Sequence, residues 1–128
     1  MPFARVLLAV QALLLAGLGL AYFIRPHEMS NLSGMLLMAP AAITDVRAFY
    51  GGVPLGLAVF LGVAALRLEL ARGALMLLVL LYSAQGLARI GGLWLDGGLQ
   101  QTFNLYALLF ALVSAGLAFK ALRELGRL

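Results

Sequence analysis

The sequence predicts an all-α fold: an integral membrane, antiparallel four-helix bundle with a short interfacial helix between its first and second spans. Three observations predict it. Of 128 residues, 64% are hydrophobic and only 11% are charged, against about 45–50% apolar and about 25% charged in an average soluble domain. A chain of this size buries too little of its own surface to hide that excess, so lipid must cover the rest. The apolar residues fall in four runs, each near the roughly 20 residues that cross a hydrocarbon core. The charges stand at the ends of those runs rather than in a basic patch. Residues 1–128 read as a single domain with no room for a second.

The first span covers about residues 6–24, with Arg5 before it. A cleaved signal peptide is the competing reading, but its core would exceed the usual ~7–15 residues, and no A-x-A-like site precedes Arg25 and Pro26. The longest connection, Arg25 to Ala42, carries Pro26, His27, Glu28, Ser30, Asn31, Ser33, Gly34 and Pro40. Its apolar stretch Met35–Met38 is too short to span. A short helix lying at the interface is expected there, with Met29, Leu32, Met35 and Leu36 on one face. The second span runs over about residues 44–66 and ends in a charged turn with Arg67, Glu69 and Arg72. The third covers about 73–95 and is closed by Asp96-Gly97-Gly98; the fourth covers about 102–119, followed by Lys120, Arg123, Glu124 and Arg127.

Orientation follows from the basic residues. With the N-terminus in the cytoplasm, that side holds Arg5, Arg67, Arg72, Lys120, Arg123 and Arg127, while Arg25 is alone in the opposite connections. Six against one is the bias that places both termini in the cytoplasm. The same placement explains the formal charge of +4 without a nucleic-acid partner. Cysteine is absent, which excludes disulfides, thiolate catalysis and Cys-bound metals.

Small residues favour close helix contact. Gly51, Gly52 and Gly56 line the second span, with Gly52 and Gly56 as a GxxxG pair, and Ala107, Ala111 and Ala115 recur in the fourth. Packing within one chain is favoured over a dimer seam. Pro54 is expected to bend the second helix, because its missing N–H frees a carbonyl one turn earlier.

The informative residues are ionisable or polar side chains inside the spans. Each costs free energy in hydrocarbon, about 2.5–3.5 kcal/mol for Arg or Asp at a span's centre on insertion scales. Tyr82, Gln85, Arg89, Gly92 and Asp96 fall at steps of 3, 4, 3 and 4, a polar stripe on the third helix. Arg47 shares a helical face with Tyr50, Gly51 and Pro54, while Asp45 falls with Phe49, Gly52 and Gly56. Gln11, Tyr22 and Arg25 can share a side of the first helix. Turned inward, these stripes make a polar chamber in the outer half of the bundle. The expected ion pairs are Arg89 with Asp45 and Arg47 with Asp96, unless Arg47 faces a cavity. The same residues admit two readings: pairs that lock helix register, or a ligand site with Arg47, Tyr50, Arg89, Gln85 and Tyr82.

Other chemistry is thin. His27 beside Glu28 in a loop makes no metal site. Ser83 and Ser114 lack a histidine and are expected to bond within their own helices. The Gly-Gly pairs lack any phosphate-loop pattern. No catalytic residue, metal or cofactor is indicated.

The pattern Asp45-x-Arg47-Ala48-x-Tyr50-Gly51-Gly52, then Gly56, then Arg89-x-x-Gly92 and Asp96-Gly97, resembles the domain of unknown function 4345 family. These are small four-span bacterial membrane proteins, and the resemblance covers nearly the whole chain. It implies four helices in a bacterial inner membrane and marks Arg47, Tyr50, Gly51, Gly52 and Arg89 as signature positions. It implies no activity.

Three functions compete. A cationic, tyrosine-lined pocket could bind a lipid or other amphiphile through an anionic or carbonyl head, since arginine's planar fork takes oxyanions bidentately. Small-residue faces without catalytic groups fit an accessory or scaffolding subunit, with a membrane-protein partner or a homo-oligomer. An enzyme acting on a lipophilic substrate is third, and transport is disfavoured because four helices offer no pore.

Overall fold

A computed structural model describes residues 2–96 and 102–126. It is helical in the order α1 (Pro2–Ile24), α2 (Pro26–Asn31), α3 (Pro40–Val46), a π-helical turn (Arg47–Gly52), α4 (Val53–Leu66), α5 (Leu68–Asp96) and α6 (Thr102–Gly126). Four stretches are long and apolar enough to cross a membrane: Phe3–Ile24, Pro40–Leu66, Glu69–Asp96 and Thr102–Leu125. Contacts at both ends fix the helices antiparallel. Lys120 sits over the Phe3 ring at the end bearing both termini, and Arg89 meets Asn104 toward the other.

The helices outrun the apolar runs. Only Arg67, extended at φ −121° and ψ 107°, separates α4 from α5, so the expected charged turn is one residue long. Glu69 and Arg72 already belong to α5, and Lys120, Arg123 and Glu124 continue α6. Glu, Lys and Arg are good helix formers, so the backbone spirals on into the headgroup zone after hydropathy has fallen.

The connection from α1 to α3 contains the expected short helix, displaced toward its start. Pro26 begins α2 at the first helical position, where no N–H is needed. Gly34, at φ 81°, ends it: the Met35 N–H donates to the Ser30 carbonyl and the Gly34 N–H to that of Asn31, both at 3.0 Å. This is a Schellman stop. Met35–Met38 is therefore non-helical, and the expected face of Met29, Leu32, Met35 and Leu36 does not form.

Pro54 acts through the turn before it. Lacking an N–H, it cannot extend the α-helical ladder, and its ring crowds the carbonyl one turn back. The chain widens instead of simply bending. Arg47–Gly52 is π-helical, and the Val53 N–H donates to the carbonyl of Ala48, five residues earlier.

The core is asymmetric. Toward the end with the termini, Ala4, Leu7, Leu8, Leu61, Ala64, Ala65, Ala71, Ala74, Leu75, Ala118 and Ala121 are all buried, small residues letting four backbones approach. Toward the other end, α1 and the π turn stay in contact, but no residue of 87–96 or 102–110 is buried. The α5–α6 hairpin thus stands partly free of α1 there.

Candidate functional site

A polar chain crosses the middle of the bundle. The Tyr82 hydroxyl donates to Gln11 Oε1 at 2.5 Å, and Gln11 Nε2 donates to Ser114 Oγ at 3.1 Å. All three side chains are buried, and the Tyr82 ring packs edge-on to Phe110 at 5.6 Å. Three helices are tied by side chains that have no water to turn to. Tyr82 therefore serves this interior link rather than an open pocket, and Ser114 bonds across helices, not within α6 as its type suggested.

Beyond this link the bundle becomes polar and open. Tyr22 of α1 stacks on Tyr50 of the π turn, with ring centroids 5.2 Å apart and planes 26° apart. The Arg89 guanidinium and the Tyr50 hydroxyl both lie within electrostatic range of the Tyr22 hydroxyl. Arg89 Nη1 donates to Asn104 Oδ1 at 2.5 Å. Its Nε–H is buried and has no hydrogen-bond partner among the described residues.

The contact that sets this geometry is between two glycines. A Cβ on Gly19 would lie 2.7 Å from the Gly51 carbonyl oxygen, and one on Gly51 would lie 3.1 Å from that of Gly19. Backbone meets backbone, bringing Tyr22, three residues after Gly19, together with Tyr50, the residue before Gly51. Gly52 and Gly56, expected to pack, face open space: only the Arg47 carbonyl lies within 4 Å of a Cβ built on Gly52, and nothing does for Gly56. Gly51 lies on the face it shares with Arg47 and Tyr50, which meets α1, while Gly52 is turned away from it.

Arg47 and Arg89 take partners other than the expected carboxylates. Arg47 is exposed; its Nε donates to the Phe23 carbonyl at 3.0 Å and its guanidinium lies 5.8 Å from the Phe23 ring centroid. Among the described residues the ion pairs are Arg25–Glu28 at 3.0 Å and Arg67–Glu69 at 4.0 Å. Neither Arg89–Asp45 nor Arg47–Asp96 forms, and both aspartates are exposed. Sited near helix ends, Asp45 and Asp96 reach water at less cost than a buried pair would carry.

Of the five candidate ligand residues, Tyr50 and Arg89 converge on Tyr22, Arg47 is held beside them on Phe23, Tyr82 is committed to the interior link, and Gln85 is exposed. Sequence reasoning left Asn104 out. Its signal was available: an amide two residues into α6, across a short connection from Arg89. His27 is exposed, and no group of three or more His, Cys, Asp or Glu side chains that could hold a metal occurs among the described residues.

Fold and site together define a small multi-pass membrane protein: four helices, a polar link at mid-depth, and an arginine–tyrosine cluster toward one end. The chain belongs to the family described as Domain of unknown function (DUF4345), whose model matches residues 3–122. No curated protein and no solved structure matches it.

Proposed function

We propose that the protein binds an amphiphile by its anionic or carbonyl head, using Arg89 with Tyr22, Tyr50 and Asn104, and with Arg47 at the flank. One observation carries this reading. Arg89 lies within a span, has no carboxylate partner among the described residues, and keeps a buried Nε–H unpaired. Leaving such a donor unsatisfied costs about 1–3 kcal/mol, more for a charged group. Nη1 is taken by Asn104, so the edge left over is the Nε–H side of the fork, which suits two oxygens of one carboxylate or phosphate. The loose packing of residues 87–96 and 102–110 supports sideways entry from the lipid. Six basic residues against one favour both termini in the cytoplasm of a bacterial inner membrane, with the site toward the outer leaflet.

The test is lipid analysis of the protein purified in mild detergent, beside Arg89→Gln. A stoichiometric acidic amphiphile on the parent, reduced at least ten-fold on the variant, is expected. An unchanged lipid complement on both would refute the reading.

A second reading, an accessory subunit of a larger membrane assembly, is favoured by the open, exposed Gly52 and Gly56. Copurification of a stoichiometric partner that Gly56→Leu abolishes would support it. A lone monomer from native membranes would oppose it.

A further inference from the structure

We infer a second, independent site at the opposite end of the bundle: Lys120 and Arg123 form a phosphate-binding seat for an anionic phospholipid. Both lie in the last turns of α6, three residues apart, on neighbouring positions of one helical surface. A cavity of about 250 Å³ is lined by Phe119, Lys120, Arg123 and Glu124. At roughly 30 Å³ per water, that is room for a headgroup rather than a single solvent molecule.

The cations are positioned, but not by carboxylates. Lys120 Nζ sits 5.3 Å from the centroid of the Phe3 ring, and the Arg123 guanidinium 5.9 Å from that of Phe119. An aromatic face orients a cation while leaving its N–H donors for another acceptor. Glu124, the one carboxylate lining the cavity, forms no ion pair among the described residues.

The surroundings select a lipid over a soluble anion. Phe119 and Leu117 are exposed on α6 beside the cations, where acyl chains would lie, and Arg5 and Arg72 add uncompensated positive charge at the same end. Basic side chains at a membrane surface favour anionic lipid by about five-fold for each charge. A headgroup whose phosphate charge is not cancelled by its own cation, seated between Lys120 and Arg123, is therefore preferred roughly twenty-five-fold over a zwitterionic one.

The experiment is native mass spectrometry of the full chain in detergent, titrated with phosphatidylglycerol and with phosphatidylcholine. With the other proposed site removed by R89Q, phosphatidylglycerol should be retained at least ten-fold more than phosphatidylcholine, and the two equally once K120Q and R123Q are added. The single variants K120Q and R123Q, each losing about five-fold, carry the test if the double variant does not fold. Equal retention of the two lipids by R89Q would overturn the inference, as would an undiminished preference when K120Q or R123Q is added to it. Loss of the preference in millimolar inorganic phosphate would also overturn it, by assigning the seat to a free anion.

Discussion

Gly19→Ala and Gly17→Ala make a matched pair on one helix face-to-face with two different surroundings. At Gly19 the added Cβ would stand 2.7 Å from the Gly51 carbonyl oxygen and 2.8 Å from Leu55 Cγ, while at Gly17 nothing lies within 4 Å. The Leu55 backbone nitrogen, at 3.1 Å, and the Gly51 carbonyl are both main chain and cannot rotate away. Ordinary contact begins near 3.4 Å, so α1 and the turn must separate by about 0.7 Å. Overpacking of this kind costs about 1–3 kcal/mol. Gly17→Ala relieves a helix-interior glycine and is neutral or stabilising, by up to ~1 kcal/mol. The propensity gain is common to both positions, so reversible unfolding in mixed micelles should rank Gly17→Ala above Gly19→Ala by about 1–3 kcal/mol. The same separation unstacks Tyr22 from Tyr50, so Gly19→Ala should also weaken amphiphile retention. Equal stability of the two variants would refute the backbone contact and the site geometry that depends on it.

Further expectations follow from the interior link and the lone tryptophan. A double-mutant cycle of Tyr82→Phe with Gln11→Leu should give a coupling of about 1 kcal/mol, within the ~0.6–1.7 kcal/mol found between membrane helices; a coupling near zero would remove the link. Ser114→Ala should cost less than Gln11→Leu in the same unfolding assay, because it breaks one bond of the chain where Gln11→Leu breaks two. Trp94 is 87% exposed near the end of α5, so lipids brominated near the headgroup should quench its fluorescence more than lipids brominated at the chain ends. The reverse order would contradict a span ending at Asp96.

The four spans were legible because lipid imposes long apolar runs, and the hairpin partners because the connections are short. Of the polar stripe expected to turn inward on α5, Tyr82 is buried and Arg89 part-buried, while Gln85 and Asp96 are exposed. Arg47, Tyr50 and Gly51 share the face that an α-helical count gives them, all three meeting α1, but the π turn itself was not legible. One π turn shifts every residue on one side of it relative to the other, and periodicity cannot reveal that in advance. The proline at 54 was the only hint. Asn104 and Ser114 escaped for another reason: each finds its partner on a different helix, and single-helix patterns do not register two helices in depth. Charged helix ends were undercounted because hydropathy marks the hydrocarbon, not the helix.

The most direct test of the central claim is a high-resolution experimental structure in native lipid, inspected at the free edge of Arg89. Headgroup density is expected within hydrogen-bonding reach of the Arg89 Nε–H and the Tyr22 and Tyr50 hydroxyls. Arg89 closed onto Asp45 or Asp96, with no density beside it, would contradict the account and make this arginine a lock between helices.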